Sequence, residues 1–318
     1  MSLIDNNIDL LELGLKIRLV EEKIAKVYDS DVIQSPVHLS IGQEAVAIGV
    51  CNAMSKSDTL FINYRGHAYY LARNGELVPF FGELCGKDIG ISRGKAGSMH
   101  LSNYDEKVIG ASAVVCSSLS NAVGFALGQK IKKETSMTVV VIGDGATEQG
   151  SFHESLNLAS LLSVPVLIVC EDNGLAVHSP LNDRHTFQLE NFAKNYGIEC
   201  EVVEKGYDPH IVSKACESAR KIIISSGKPY FLTVKTRRYL EHVGVQEDFD
   251  AGYRSRDEIE SWKRNDPIEK IRNNKIPSDI DIVIGGFPCQ GFSIANKSRH
   301  IDDSRNKLYK QMLRIIRD

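Results

Sequence analysis

The stretch TVVVIGDGATEQGSFHESLNLASLLSVPVLIVCEDN, residues 138–173, decides the fold. It opens on a β-branched run, 138–142, and passes into a segment, 148–162, whose apolar positions Phe152, Leu156, Ala159 and Leu162 have helical spacing. It ends on a second strand-like run, 164–169, so the pattern predicts a strand, a helix and a strand. Such a crossover joins parallel strands. Asp144 and Asn173, 29 residues apart, are therefore each expected just past the carboxyl end of a strand, on the edge where open parallel sheets take their ligands. The flanking Gly143 and Gly145 let backbone come close to a bulky anion. The Asp144 carboxylate, the Asn173 amide oxygen and a main-chain carbonyl such as that of Leu175 are hard oxygen donors, suited to a magnesium ion that also holds a diphosphate. A helix following Gly145 would aim its N-terminal amides at the same place. Taken alone, Gly-Asp-Gly after a strand is equally an ordinary turn; the pairing with Asn173 is what points to a site.

Outward from this unit the alternation continues. Asp208 and Pro209 look like an N-cap and first helical residue for a helix over 211–225, which Gly227 can stop before a strand over 230–234. Upstream, Leu10, Leu11, Leu13, Ile17 and Ile24 fall near helical spacing. Ser40 with Gln43 makes a capping-box pattern that starts a helix beside His38. Residues 75–99, broken by six glycines, read as a long loop. From Asp257 to Arg272 the chain is charged and helical, and a break follows at Asn273, Asn274, Pro277 and Ser278. The class is α/β, a parallel sheet flanked by helices. One domain is expected over 1–274, with residues 275–318 as an appended fragment that forms a short strand, loop and helix.

The composition of the 318 residues, 42% hydrophobic and 25% charged, is that of a soluble globular chain. A net charge of −3 supplies no global field favouring nucleic acid or an anionic membrane. Residues 1–9 lack the basic start and apolar core of a secretory signal, and the longest apolar stretch, 161–170, is too short to span a bilayer. Seven cysteines without a C-x-x-C pair suit reduced thiols in a cytoplasm better than a disulfide framework or a zinc site.

Five segments carry a resemblance: PVHLSIGQEAVAIG (36–49), NYRGH (63–67), GKAGSMH (94–100), GDGATEQG (143–150) and RYLEHVGVQEDFDAGYR (238–254). In register, they resemble the alpha subunit of the pyruvate, branched-chain and acetoin dehydrogenases, which are thiamine diphosphate enzymes. The resemblance implies that fold, with thiamine diphosphate and Mg2+ as cofactors. It implies Asp144, Asn173 and the Leu175 carbonyl as metal ligands, and Tyr64 and Arg65 as the pair that holds the diphosphate. Ala113 and Val115 match backbone contacts to the aminopyrimidine ring. His38 and His242 match active-site histidines on the substrate side, able to exchange protons near neutral pH, and His67 fits a structural histidine equally well. A beta subunit in an α2β2 assembly, a lipoyl acyltransferase and a 2-oxo acid or acetoin are the implied partners and substrate, with the chain inactive alone. Several positions depart from the family: Ala113 and Cys116 stand where glycines are usual, Val243 stands where mitochondrial relatives carry a phosphorylatable serine, and residues 171–173 read E-D-N in place of the commoner N-N pair while keeping Asn173.

The last residues read differently. DIVIGGFPCQGFSIANKSRHIDDSRNKLYKQMLRIIRD, 281–318, resembles the central stretch of DNA cytosine-5 methyltransferases, in which Cys289 matches the thiol that attacks a flipped cytosine. The methyl-donor site and the later E-N-V and Q-x-R-x-R elements of that family are absent from the sequence. Eight Lys or Arg against five Asp from Lys275 onward leave too small an excess to imply DNA binding. The expectation is a vestigial appendage on a C-terminally truncated dehydrogenase subunit, produced by gene fusion, rearrangement or a joined reading. A DNA-modifying protein and an inactive chimeric remnant are the alternatives.

Overall fold

The computed structural model describes residues 10–275; the expectations for 281–318, Cys289 included, lie outside them. In chain order the elements are α1 (Leu10–Tyr28), α2 (Glu44–Ala53), β1 (Thr59–Asn63), α3 (His67–Ala72), α4 (Leu77–Leu84), β2 (Val108–Ser112), α5 (Ser117–Ile131) and β3 (Thr138–Gly143). They continue as α6 (Gly150–Leu161), β4 (Val166–Asp172), the two-residue strands β5 (Leu175–Ala176) and β6 (Ser179–Pro180), α7 (Leu189–Asn195), β7 (Glu199–Val203), α8 (Pro209–Ser226), β8 (Tyr230–Lys235), α9 (Arg256–Lys263) and α10 (Pro267–Lys275). The chain divides into two units, Met1–Ile268 and Glu269–Asp318.

Six strands form one sheet in the order β2-β1-β3-β4-β8-β7, and every pairing is parallel. Because successive side chains of a strand point to opposite faces, each strand feeds two cores. Val139, Val141, Leu167 and Val169 pack with α1, α2 and α8 through Ile17, Val46, Ile48 and Val212. Val140, Ile142, Ile168 and Cys170 pack with α5 and α6 through Leu119, Ala122, Phe152 and Leu156. Burial on both faces is why these strands read as continuous apolar runs. Among the described residues no helix is long and apolar enough to cross a membrane.

Asp208 caps α8 as expected, its carboxylate accepting from the His210 and Ile211 amides at 2.9 and 3.4 Å, and Gly227 ends the helix at φ +69°. Asp208→Ala is expected to lower stability by about 1 kcal/mol in urea unfolding, the usual worth of an N-cap.

Four local readings are corrected. Residues 75–99 contain a helix, α4, because Phe80 and Leu84 fall one turn apart and both are buried; Phe80 packs against His67 and Tyr70. Ser40 does not cap α2, which begins at Glu44. Gly42 intervenes at φ +94°, where a side chain would strike the Arg237 carbonyl 2.4 Å away. A 3-10 turn, Asp144–Glu148, separates β3 from α6, so the helix starts at Gly150 and not directly after Gly145. The charged helix over 257–272 is two helices: Pro267 cannot continue α9, and Asp266 turns inward to accept the Ile268 amide at 2.8 Å.

Candidate functional site

The crossover leaving β1 runs one way to β2, and the next returns past β1 to β3. The carboxyl ends of β1 and β3 therefore flank a topological switch point, where the crevice of an open parallel sheet lies. A cavity of about 260 Å³ opens there, lined by residues at the ends of β2, β1, β3 and β4 and by His242 from the loop after β8. Its floor is kept bare at Gly143, where an added Cβ would meet nothing within 4 Å.

Asp144, Asn173 and Leu175 line this one cavity, brought together by the parallel pairing of β3 with β4, in which Gly143 lies opposite Glu171. Asp144 is 1% exposed. Burial and the neighbouring Asp172 carboxylate push its carboxyl up to about 6, against the pull of the Arg184 guanidinium. Asn173 donates to Gln43 Oε1 at 3.2 Å and accepts the Leu175 amide on Oδ1 at 3.0 Å, which fixes its amide orientation. Leu175 is opposite Pro180 in the β5–β6 hairpin, and proline has no N–H to offer the Leu175 carbonyl. The donor set is thus one carboxylate and two neutral oxygens. Among the described residues no cluster of three His, Cys, Asp or Glu forms a metal cage by itself.

Tyr64, Arg65 and His242 also line the cavity. Arg65 donates to the Leu39 carbonyl at 2.6 Å and the His242 carbonyl at 3.2 Å; each terminal nitrogen of a guanidinium keeps a second hydrogen for another acceptor. His38 does not touch the cavity directly. It stands behind the wall, its ring 4.5 Å from Tyr64 and 5.2 Å from His242, and its Nδ1 is buried without a hydrogen-bond partner. The loop that carries His242 is fastened to the segment of His38 by the Gly244 amide, which donates to the Val37 carbonyl at 2.9 Å.

Burial, followed by the adjacent Arg65 charge, pushes both imidazoles down to about 3. Both rings are therefore neutral at pH 7. Neither ring should titrate between pH 5 and 8 in histidine NMR spectra. Because the unfolded chain takes up protons near pH 6.5 that the folded rings refuse, these two residues favour folding above that pH and cost stability as pH falls from there toward 3. His67 is a satisfied core residue, with Nδ1 3.1 Å from Glu21 and Nε2 2.6 Å from Ser98.

Val115 lines the cavity and is half exposed, whereas Ala113 is outside the lining although Ser112 and Val114 belong to it. Cys116, at a position where glycines are usual in the resembling family, holds φ +68° at the N-cap of α5, a conformation that favours glycine. Sequence reasoning missed Glu171. It lines the cavity at 3% exposure, accepts the Tyr69 hydroxyl at 2.9 Å, and burial raises its carboxyl to about 7. Its place two residues before Asn173 is the only signal the sequence offered. Arg184, which pairs with Asp144, gave no signal at all.

The family model described as dehydrogenase E1 component matches residues 15–280, and a second, C-5 cytosine-specific DNA methylase, matches 252–318. The chain is 35% identical over 268 residues to the mitochondrial pyruvate dehydrogenase E1 component subunit alpha-1 of Oryza sativa subsp. japonica, covering 83% of this chain and 66% of that one. It is 33% identical over 300 residues to the alpha subunit of acetoin:2,6-dichlorophenolindophenol oxidoreductase of Bacillus subtilis (strain 168), covering 91% and 89%. With the pyruvate dehydrogenase E1 component subunit alpha of Rickettsia bellii (strain RML369-C) the identity is 32% over 274 residues, covering 84% and 82%. The chain spans about two thirds of the length of the plant relatives it matches. A parallel sheet whose strand ends gather Asp144, Asn173 and Tyr64-Arg65 around one cavity, together with a family match that begins at residue 15 and ends at 280, places this chain in the dehydrogenase E1 component family.

Proposed function

We propose that this chain is the alpha subunit of an oxidoreductase that uses thiamine diphosphate and Mg2+ to cleave a 2-oxo acid or acetoin and pass the acyl fragment to a lipoyl group. The observation that carries this reading is that Asp144, Asn173 and Leu175 line one cavity over the switch point. The residues fit the cofactor: hard oxygens of Asp144, Asn173 and Leu175 suit Mg2+, and the bare Gly143 leaves room for a diphosphate. Bound there, the cofactor would supply a carbanion nucleophile and an electron sink.

The chain's own groups would then bind and orient. Asp144, Asn173 and Leu175 hold the metal. Tyr64 and Arg65 face the diphosphate, and the backbone at Ala113 and Val115 faces the aminopyrimidine. His242, uncharged at neutral pH, presents a hydrogen-bonding ring on the substrate side, and His38, packed behind the cavity wall, would support it through its ring contact. A beta subunit completes the site in an α2β2 assembly, a lipoyl acyltransferase receives the acyl group, and the setting is cytoplasmic. Residues 1–274 are the dehydrogenase domain. Residues 275–318, in which Cys289 is a vestigial nucleophile, are a methyltransferase fragment that transfers no methyl group; the family match at 252–318 favours this second component.

Isothermal titration of the chain reconstituted with its beta subunit tests the reading. Mg2+-dependent heat on adding thiamine diphosphate is expected, and no heat at millimolar cofactor would sink it. For the tail, oligonucleotides containing 5-fluorocytosine should give no Cys289-dependent covalent complex.

A further inference from the structure

Residues 174–185 fold back over the 3-10 turn Asp144–Glu148. The approach is close at Gly145, where an added Cβ would lie 2.8 Å from the Ala176 Cβ and 4.0 Å from Arg184 Nη1. The returning segment is closed on itself: the Leu181 amide donates to the Gly174 carbonyl at 2.8 Å, and the Arg184 amide to the Leu181 carbonyl at 3.0 Å. Arg184 then joins the segment to the turn. Its Nε donates to the Ser179 carbonyl at 3.0 Å, its Nη2 to Asp144 Oδ2 at 2.5 Å, and its Nη1 to the Glu148 carboxylate. His185 repeats the connection beside it, with Nε2 3.1 Å from Glu148 Oε1 and 3.2 Å from Thr147 Oγ1. The Thr147 hydroxyl itself donates to the Asp144 carbonyl at 2.7 Å.

Granted the cofactor reading proposed above, we infer that Arg184 is a positioning residue that clasps residues 174–185 onto Asp144 and so sets the spacing of the cation ligands. Two of those ligands are on different elements: Asp144 follows β3, and the Leu175 carbonyl belongs to the returning hairpin. Sequence separation leaves their relative position free, whereas a planar guanidinium that bonds both sides fixes it. The contact engages Oδ2 of Asp144. The Arg184 side chain is 10% exposed and that of Asp144 2%, so the pair is shielded from the solvent that weakens surface ion pairs. Arg184 does not touch cofactor or substrate in this role; it acts through Asp144 and through the backbone that carries Leu175.

The test uses the full chain reconstituted with its beta subunit, as wild type, R184Q and R184K, with free Mn2+ followed by electron paramagnetic resonance in the presence of thiamine diphosphate. Amide hydrogen exchange of 174–185 is measured in parallel on ligand-free protein. R184Q should raise the Mn2+ dissociation constant about tenfold, the lower end of what loss of a ligand-orienting partner costs. It should also speed exchange in 174–185 while leaving the sheet strands protected. R184K should fall between, since an ammonium keeps a charge but not the fork. Unchanged or tighter Mn2+ binding by R184Q, with wild type binding normally, would overturn the clasp and leave the cofactor reading standing. Failure of the wild type to take up Mn2+ together with thiamine diphosphate would instead overturn that reading, and the clasp with it.

Discussion

Replacing Asp144 by alanine is expected to weaken binding of thiamine diphosphate with Mg2+ by about 100-fold or more, since loss of a charged ligand costs roughly 3 kcal/mol. Asp144 is the only carboxylate in the proposed donor set. The carboxyl is also poised by its surroundings: burial and Asp172 raise it to about 6 while Arg184 pulls the other way. Since only the ionised form is a ligand, affinity should fall as pH drops through about 6. The stability effect has the opposite sense. A carboxyl whose folded value is raised takes up a proton on folding, so its contribution is present at low pH and is lost as pH rises through about 6. Asp144→Asn removes that buried charge and keeps an oxygen for Arg184. In ligand-free protein this variant should gain on the wild type in urea unfolding as pH goes from 5 to 7.5, while it fails to bind the cofactor. A variant that bound normally, or whose stability relative to wild type did not depend on pH, would contradict the assignment of Asp144 as a buried, costly cation ligand.

The parts of the site that a sequence reveals are those enforced by local rules. Residues 138–173 expose Asp144 and Asn173 because strand and helix periods are local, and a parallel crossover leaves both strand ends at one edge. Asp208 and Gly227 are legible for the same reason: a cap and a left-handed glycine act within a few residues. The Ser40–Gln43 capping box misleads because what breaks it is not local; the Arg237 carbonyl, far along the chain, presses against Gly42 between them. Residues 75–99 read as a loop because their glycines outnumber the buried apolar positions Phe80 and Leu84 of α4. Glu171 and Arg184 are the harder cases. A carboxylate in a strand and an arginine in a loop read as solvated by default, and only the assembled sheet puts one at 3% exposure in the cavity wall and the other against Asp144. The histidine charge state was likewise beyond reach, because it depends on how deeply His38 and His242 sink beside Arg65.

Arg18→Ala should be the most damaging single change to the fold, costing about 3–5 kcal/mol, the usual price of stripping the partner from a buried ion pair. Arg18, Glu44 and Asp266 are 1%, 1% and 3% exposed. The guanidinium of Arg18 bonds both oxygens of Glu44, reaches Asp266 Oδ2 at 3.0 Å and lies over the Tyr239 ring at 5.3 Å. The Tyr239 hydroxyl donates to the same Asp266 oxygen at 2.8 Å. Without Arg18, Glu44 and Asp266 lose the guanidinium that bonds both of them in the interior. The midpoint of thermal unfolding should drop by roughly 10 °C for a domain of this size. The loss should be strongly non-additive: Arg18→Ala combined with Glu44→Ala should cost less than the sum of the single changes, because the second removes the charge that the first strands. The cluster also bears on the site. Glu44 accepts the Gly42 amide at 2.8 Å, which sets the turn that presents Gln43 to Asn173, and Tyr239 precedes the His242 loop by three residues. Arg18→Ala should therefore weaken cofactor binding even below the unfolding transition, where Asp208→Ala, remote from that turn, should leave it intact. Equal binding by the two variants would mean that the buried cluster only stabilises the fold and does not orient Asn173.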